Sequence, residues 1–386
     1  MGLAVAGAVA AGCQPAPAEP PLPTDTSLPT PTPTVPPTFT PLPPTPSATP
    51  AASVEVAATS TASVPWNPLG TVVIGQQAGY ERRPVKETLQ QMIEDMGGLH
   101  WTVPPGGKVA LKVCLPAAGN AAERHRFGTH PEVVRALGEL LLDAGAGKLL
   151  IVEALADPGA FTAWGYDEIA ETLNAALIDL NLPAPYAEFG EMAVGSAALV
   201  YEKFAVNQAL NEVDSIISLA KMKCHSALGI ALSMQNLAGM VPYTRYRLQD
   251  ADNYPSAFYE DVKPQQRSQV APRVIIDLNM AFPLNLALID GIQTVQGGES
   301  DAVPGVEPID AGLLLVGQNP TCVDAVATLA MGFDPLARFP MPPFLRSDNY
   351  LNLAYNLGLG TNLPEQIEVL GPALEEIIVP FAAPAL

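Results

Sequence analysis

Basic residues are scarce in this 386-residue chain, where 19 Lys and Arg stand against 39 Asp and Glu, a formal net charge of −20. A nucleic-acid partner is bound by neutralising its phosphates with Lys and Arg, so this balance excludes one. Cysteine is scarce too. No two of Cys13, Cys114, Cys224 and Cys322 stand at C-x-x-C spacing, which argues against a cysteine-held zinc or iron–sulfur site within the chain. No apolar run reaches the roughly 20 residues of a membrane-spanning helix. Walker, G-x-G-x-x-G, G-x-S-x-G and H-E-x-x-H patterns are missing, and with them the commonest nucleotide, hydrolase and zincin signatures.

Proline is in excess, with 41 in the chain, and 16 of them fall in residues 14–65 among Thr, Ala and Ser. Such a segment buries too little surface to offset its ordering entropy, and proline biases it toward extended polyproline II. We read it as a disordered, semi-rigid stalk. Residues 1–13 form a short apolar stretch ending in AVAAGC. Small residues before a cysteine resemble a truncated bacterial lipoprotein signal, which makes Cys13 the expected lipidation site. This implies an extracytoplasmic protein, held to the membrane through a lipid anchor only, at the cell surface or in the periplasm.

The remaining residues, 66–386, carry most of the charge, since only four acids precede the first basic residue, Arg82. Their elements alternate in type. Strands are expected at TVVIG (71–75), KVALKVCL (108–115), KLLIVEA (148–154), DSIISLA (214–220), LNLALID (284–290), AGLLLVG (311–317) and QIEVL near the C-terminus. Helices are expected at 84–96, over THPEVVRALGELLLDAGA with Thr129 as cap and Pro131 in the first turn, at 167–180, at 268–281 and over PTCVDAVATLAMGF. Continuous apolar strands between helices imply an α/β fold, a mainly parallel sheet with helices on both faces. Residues 242–267 show no period and are expected to form an inserted loop or lid.

Chemistry concentrates after the strand that ends at Ala220. Lys221, Lys223 and His225 follow at spacing two, on one face of an extended chain. Ser226 would then cap a helix whose amides favour an anion. Cys224, between them, is expected to be a buried apolar thiol. A second, acidic set comprises Asp290 before Gly291, Glu299 and Asp301 in a glycine-rich loop, and Asp324 early in a helix. Carboxylates at loop tips on one sheet edge suit a hard cation or a base. His125 and His130 lie in ERHRFGTH, a locally basic loop with His130 near a helix start.

Four blocks together resemble a known family. LAKMKCHSALGIALSMQNLAGMVP is similar to the central lysine–x–histidine segment of the bacterial and archaeal family termed domain of unknown function 362. LALIDGIQTVQGGESDAVPG resembles its Asp-Gly and glycine-rich loop, LLLVGQNPTCVDAVATLAMGFDP its closing helix, and THPEVVRALGELLLDAGA its early helix. The blocks keep family order over about 108–335. Departures occur where Val113 and Cys114 follow Lys112 instead of Pro-Asn, and where Gln235 instead of Lys precedes Asn236. The resemblance implies a site lined by Lys112, Lys223, His225, Asn236, Asp290 and Asp324. Some relatives carry a ferredoxin-like cluster domain, which the cysteine spacing excludes within this chain, and the family has no agreed activity.

The expectation is therefore a surface-anchored protein with a site for a small anion or a metal–ligand complex at strand carboxyl ends, with an enzymatic role left open. Lys223, His225 and Asp290 are the catalytic candidates; Lys112, Lys221, Asn236 and Glu299 the ligand-binding ones; His225, Asp290 and Asp324 the candidates for a divalent metal. The alternative is a noncatalytic extracytoplasmic solute-binding or sensing lipoprotein.

Overall fold

Residues 70–116, 123–243, 245–246 and 267–385 are described by the structure, a computed structural model. The expected signal with Cys13, the 14–65 stalk and nearly all of the 242–267 loop lie outside the described residues.

The chain alternates as its sequence implies. β1 (Thr71–Gln76) leads to α1 (Arg82–Asp95), and β2 (Lys108–Lys112) to α2 (Pro131–Asp143). β3 (Lys148–Glu153) is followed by the short α3 (Ala160–Ala163), α4 (Tyr166–Leu173) and β4 (Ala176–Asp179). A hairpin of β5 (Gly190–Ala193) and β6 (Lys203–Val206) precedes β7 (Ser215–Lys221), and β8 (Lys223–His225) and β9 (Gly229–Ala231) make a second one. Then come α5 (Arg267–Ala281), β10 (Leu286–Gly291), the paired β11 (Thr294–Gln296) and β12 (Glu307–Ile309), and β13 (Leu313–Gly317). The chain closes with α6 (Pro320–Ala330), α7 (Tyr350–Asn356) and β14 (Glu368–Leu370).

Eight strands form one sheet in the order β14-β1-β13-β10-β7-β2-β3-β4. All run the same way except β13, which is antiparallel to both β1 and β10. All seven residues of β7 are buried, as a strand covered on both faces requires. One core joins Val109, Leu111, Ile217 and Leu219 to α1, α2 and α4. The other joins Ala110, Ile216 and Ala220 to α5, α6 and α7. The α/β class with helices on both faces is thus the fold of the protein.

Several local expectations are corrected. The helix expected over 167–180 stops at Leu173, because Asn174 takes a left-handed conformation (φ 48°) and releases residues 176–179 as an edge strand. The cap of α2 is His130, whose Nδ1 accepts from the Glu132 amide; Thr129 instead bridges the Cys114 amide and the Leu219 carbonyl. No helix follows Ser226. The chain turns back through Gly229 (φ +86°) as the β8–β9 hairpin, a left-handed position that glycine fills without steric cost.

Candidate functional site

From β2 the chain moves outward to β3 and β4, with α2 and α4 on one face. From β7 it moves the other way to β10, with α5 on the opposite face. The order therefore reverses between β2 and β7. At such a switch point the strand carboxyl ends splay apart and leave a crevice, the usual ligand position in open α/β sheets. The residues at these ends include Cys114 after β2, Lys221 and Lys223 at the end of β7, and Asp290 in β10. Tyr80 arrives from the β1–α1 connection, and residues 123–130 from the segment before α2.

Tyr80, Lys221 and Asp290 form a closed triangle. Lys221 Nζ donates to Tyr80 Oη at 2.8 Å and to Asp290 Oδ2 at 2.9 Å, and Tyr80 Oη donates to Asp290 Oδ1 at 2.8 Å. The His130 and Ile292 amides also donate to Asp290, at 3.1 and 3.2 Å. Four donors saturate this carboxylate, so Asp290 holds the group in place and does not stand open as a base. Burial pushes the Tyr80 hydroxyl well above its ordinary value, with the Asp290 charge adding to it. Burial pushes the Lys221 ammonium down, and Asp290 opposes that shift.

A neutral aromatic ledge adjoins the triangle. The Tyr80 and His130 rings stack at 3.7 Å and 6° between planes, and His125 meets both edge-on. Burial lowers His130 to about 4, opposed by Asp290 and reinforced by Lys221. His125 is lowered by burial and then by Lys221, and its Nε2 lies 3.1 Å from Gln293 Oε1.

Lys223, which opens β8 just beyond the end of β7, is 3% exposed. Its Nζ donates to the Phe127 and Glu299 carbonyls at 2.6 and 3.1 Å, with Cys114 Sγ at 4.0 Å. Among the described residues no carboxylate pairs with it. His225 is 1% exposed. Its Nδ1 accepts from the Ala227 and Leu228 amides at 3.1 and 3.3 Å, which puts the imidazole proton on Nε2. That N–H has no partner among the described residues. Burial lowers the His225 pKa, opposed by Glu299 and reinforced by Lys223. The anion expected at Ser226 is the protein's own: Glu299 accepts from the Ser226 amide at 2.7 Å and its hydroxyl at 2.8 Å.

Other candidates serve the scaffold. Lys112 Nζ donates to Glu153 Oε2 at 3.0 Å, Asn236 Oδ1 at 3.1 Å and the Val113 carbonyl at 2.6 Å. Asn236 Nδ2 in turn donates to the Lys112 carbonyl and Ser218 Oγ. This network clamps the 235–240 turn onto β2 and β7. Burial raises Glu153 to about 7, with Lys112 opposing. Asp324 stands apart from the site. Because β13 runs against its neighbours, α6 starts at the opposite sheet edge, and the Asp324 carboxylate accepts from the Ser233 and Met234 amides at 2.8 and 3.0 Å. The metal set His225, Asp290 and Asp324 is therefore not brought together. No group of three or more His, Cys, Asp or Glu side chains is arranged to hold a metal ion among the described residues. Asp301 is exposed. Cys224 is buried in the core, its thiol pushed by burial up to about 12.

Lys221, Lys223, His225, Asp290 and Glu299 do gather at one corner. Sequence reading missed Tyr80, Glu153, Gln293 and the placement of His125 and His130. Glu153 carried the same signal as Asp290, an acid ending an apolar strand. The ERHRFGTH run carried one too, as a basic segment in a chain poor in basic residues. Tyr80 had none.

Residues 109–329 match the family model described as a domain of unknown function (DUF362). A thylakoid-associated protein of Synechocystis sp. is 26% identical over 318 residues, covering 81% of this chain and 89% of the relative. A solved structure of a Thermotoga maritima protein aligns over 61% of this chain and 55% of that one, at 12% identity and a TM-score of 0.30, a likeness too slight to bear on function. With the family model spanning more than half of the sequence, the chain belongs to the domain of unknown function 362 family.

Proposed function

We propose that the crevice between β2 and β7 binds a small anionic ligand, received by Lys223 and His225, in a protein anchored to the membrane by a lipid on Cys13. One observation carries the ligand reading. Among the described residues, the buried Lys223 ammonium is met by two backbone carbonyls and the Cys114 sulfur but by no carboxylate, and the buried His225 Nε2–H, two residues on, has no acceptor. An uncompensated buried charge and an unmade hydrogen bond are each costly, and one anionic oxygen cluster would satisfy both. The other two lysines are each paired with a carboxylate, Lys112 with Glu153 and Lys221 with Asp290.

Anchoring is supported by the AVAAGC end of the N-terminal stretch and by the thylakoid association of the Synechocystis relative. Among the described residues no helix is long and apolar enough to cross a membrane. The experiment is mass spectrometry and metal analysis of whatever co-purifies with natively expressed protein, repeated for Lys223→Ala and His225→Ala. A small anion, free or metal-bound, retained by the parent and lost in both variants is expected. Retention of the same molecule by both variants would remove the assignment.

A further inference from the structure

Arg124 and Trp164 each keep a buried N–H donor that nothing accepts. Trp164, just after α3, is 6% exposed, and its indole Nε1 has no hydrogen-bond partner. Arg124, in the segment before α2, is half-buried, and its Nε is buried without a partner too. The two side chains are neighbours, with the guanidinium carbon 6.0 Å from the centroid of the Trp164 ring. Buried donors in folded proteins nearly always meet an acceptor, and one left without is costly. Two of them on adjacent side chains point to one missing acceptor.

Local packing holds both in place. Arg124 Nη1 donates to the Ala163 carbonyl, and the Trp164 amide donates to the Ala160 carbonyl at 2.9 Å. The indole lies against Gly128, where an added Cβ would come within 2.6 Å of its ring carbons and 2.5 Å of the Cys114 carbonyl. Only a residue without a side chain allows that approach. With Nη1 engaged, the guanidinium keeps its side edge, on which Nε–H and one Nη2–H run parallel. That edge takes a carboxylate through two hydrogen bonds at once. The protein does not supply one. Glu123, Asp157, Asp167 and Glu168, the acids nearest in sequence, are exposed, and among the described residues no carboxylate pairs with Arg124.

We propose that Arg124 and Trp164 form a binding site for a carboxylate group, distinct from the site assigned to Lys223 and His225. Nε and Nη2 of Arg124 hold its two oxygens side-on, and the Trp164 indole N–H donates to one of them. The orphaned donors select this ligand, since two carboxylate oxygens have room for three N–H groups. Its single negative charge also matches the one guanidinium. A phosphate dianion brings a second charge and further oxygens for which this pair has no donors. Arg124 is partly open to solvent whereas Trp164 is not, so the group enters from the arginine side.

The test follows the indole N–H signals of the three tryptophans by NMR in the isotope-labelled full chain as sodium acetate is added. Trp164→Phe identifies the signal of interest. A saturable shift of that signal is expected with acetate, and none with sodium chloride at equal ionic strength. Arg124→Gln should weaken acetate binding at least about tenfold. Arg124→Lys should weaken it comparably, because an ammonium lacks the parallel edge; it also serves if the Gln variant's amide spectrum departs from the parent's. The absence of a saturable shift, or a shift that both arginine variants retain, overturns the proposal. So does inorganic phosphate binding more tightly than acetate. Lys223→Met should keep the Trp164 shift. Its loss there would place the acetate with Lys223 and overturn the second site, so the two readings fail separately.

Discussion

Lys221 and Asp290 are directly paired residues on adjacent parallel strands, and their side chains meet at 2.9 Å with both fully sealed from solvent. Lys221 ends β7 and Asp290 is the penultimate residue of β10, and the register sets their opposite charges side by side. The pair holds Tyr80 by its hydroxyl and, through the His130 amide, fixes the start of α2. One ion pair thus ties four segments together at the carboxyl ends of β7 and β10.

Removing half of that pair should be costly. Asp290→Asn leaves the Lys221 ammonium buried without its counter-charge, a change expected to cost about 3–5 kcal/mol. Urea denaturation measures it. Adding Lys221→Met should recover a large part of the loss, since an apolar pair no longer carries an uncompensated charge. A single variant as stable as the parent would show that the triangle does not hold the sheet end.

Lys223 should behave in the opposite way. It has no carboxylate to orphan, so Lys223→Met is expected to change the unfolding free energy by less than about 1 kcal/mol while abolishing retention of the co-purifying anion. Urea denaturation and mass spectrometry of the same preparation read the two effects. A loss of several kcal/mol would mark Lys223 as a scaffold residue.

The His130 imidazole should stay neutral down to about pH 4, against an ordinary value of 6.5. As pH falls below 6.5 the unfolded chain takes up a proton that the folded protein refuses. Its contribution to stability is therefore present above 6.5 and is lost progressively between about 6.5 and 4. An NMR titration of the ring proton gives the midpoint. His130→Asn keeps a side chain that can cap α2 and should remove this part of the pH dependence.

Gly239 should tolerate no side chain. Its carbonyl accepts from the Ala154 amide at 3.0 Å, and an added Cβ would overlap Glu153 Oε1 and press on Lys112 Nζ at 2.9 Å. Gly239→Ala is expected to destabilise by about 2–4 kcal/mol, by overpacking and by disturbing a buried ion pair. A shift in the urea midpoint checks this.

Much of the scaffold was legible because apolar runs and helix boundaries are local signals. The Pro131 start of α2 and the strands of the parallel core need only their own residues. What failed was non-local. Residues 176–179 read as the end of a helix because nothing nearby announces the left-handed turn at Asn174. The direction of β13 is invisible in AGLLLVG, since a buried strand has the same composition either way. That direction alone moved Asp324 away from the corner where Asp290 sits.

The sequence by itself determined that cationic and acidic residues would sit at the ends of apolar strands, because such ends emerge from a buried sheet into a polar rim. It also determined that few cations were available to share. Only the tertiary structure decided which of them are satisfied. Lys112 meets Glu153 across 41 residues of chain and Lys221 meets Asp290 across 69, distances that strand order alone closes. Lys223 meets two backbone carbonyls and, among the described residues, no side-chain carboxylate, a difference among three lysines that is physically one of solvation and pairing.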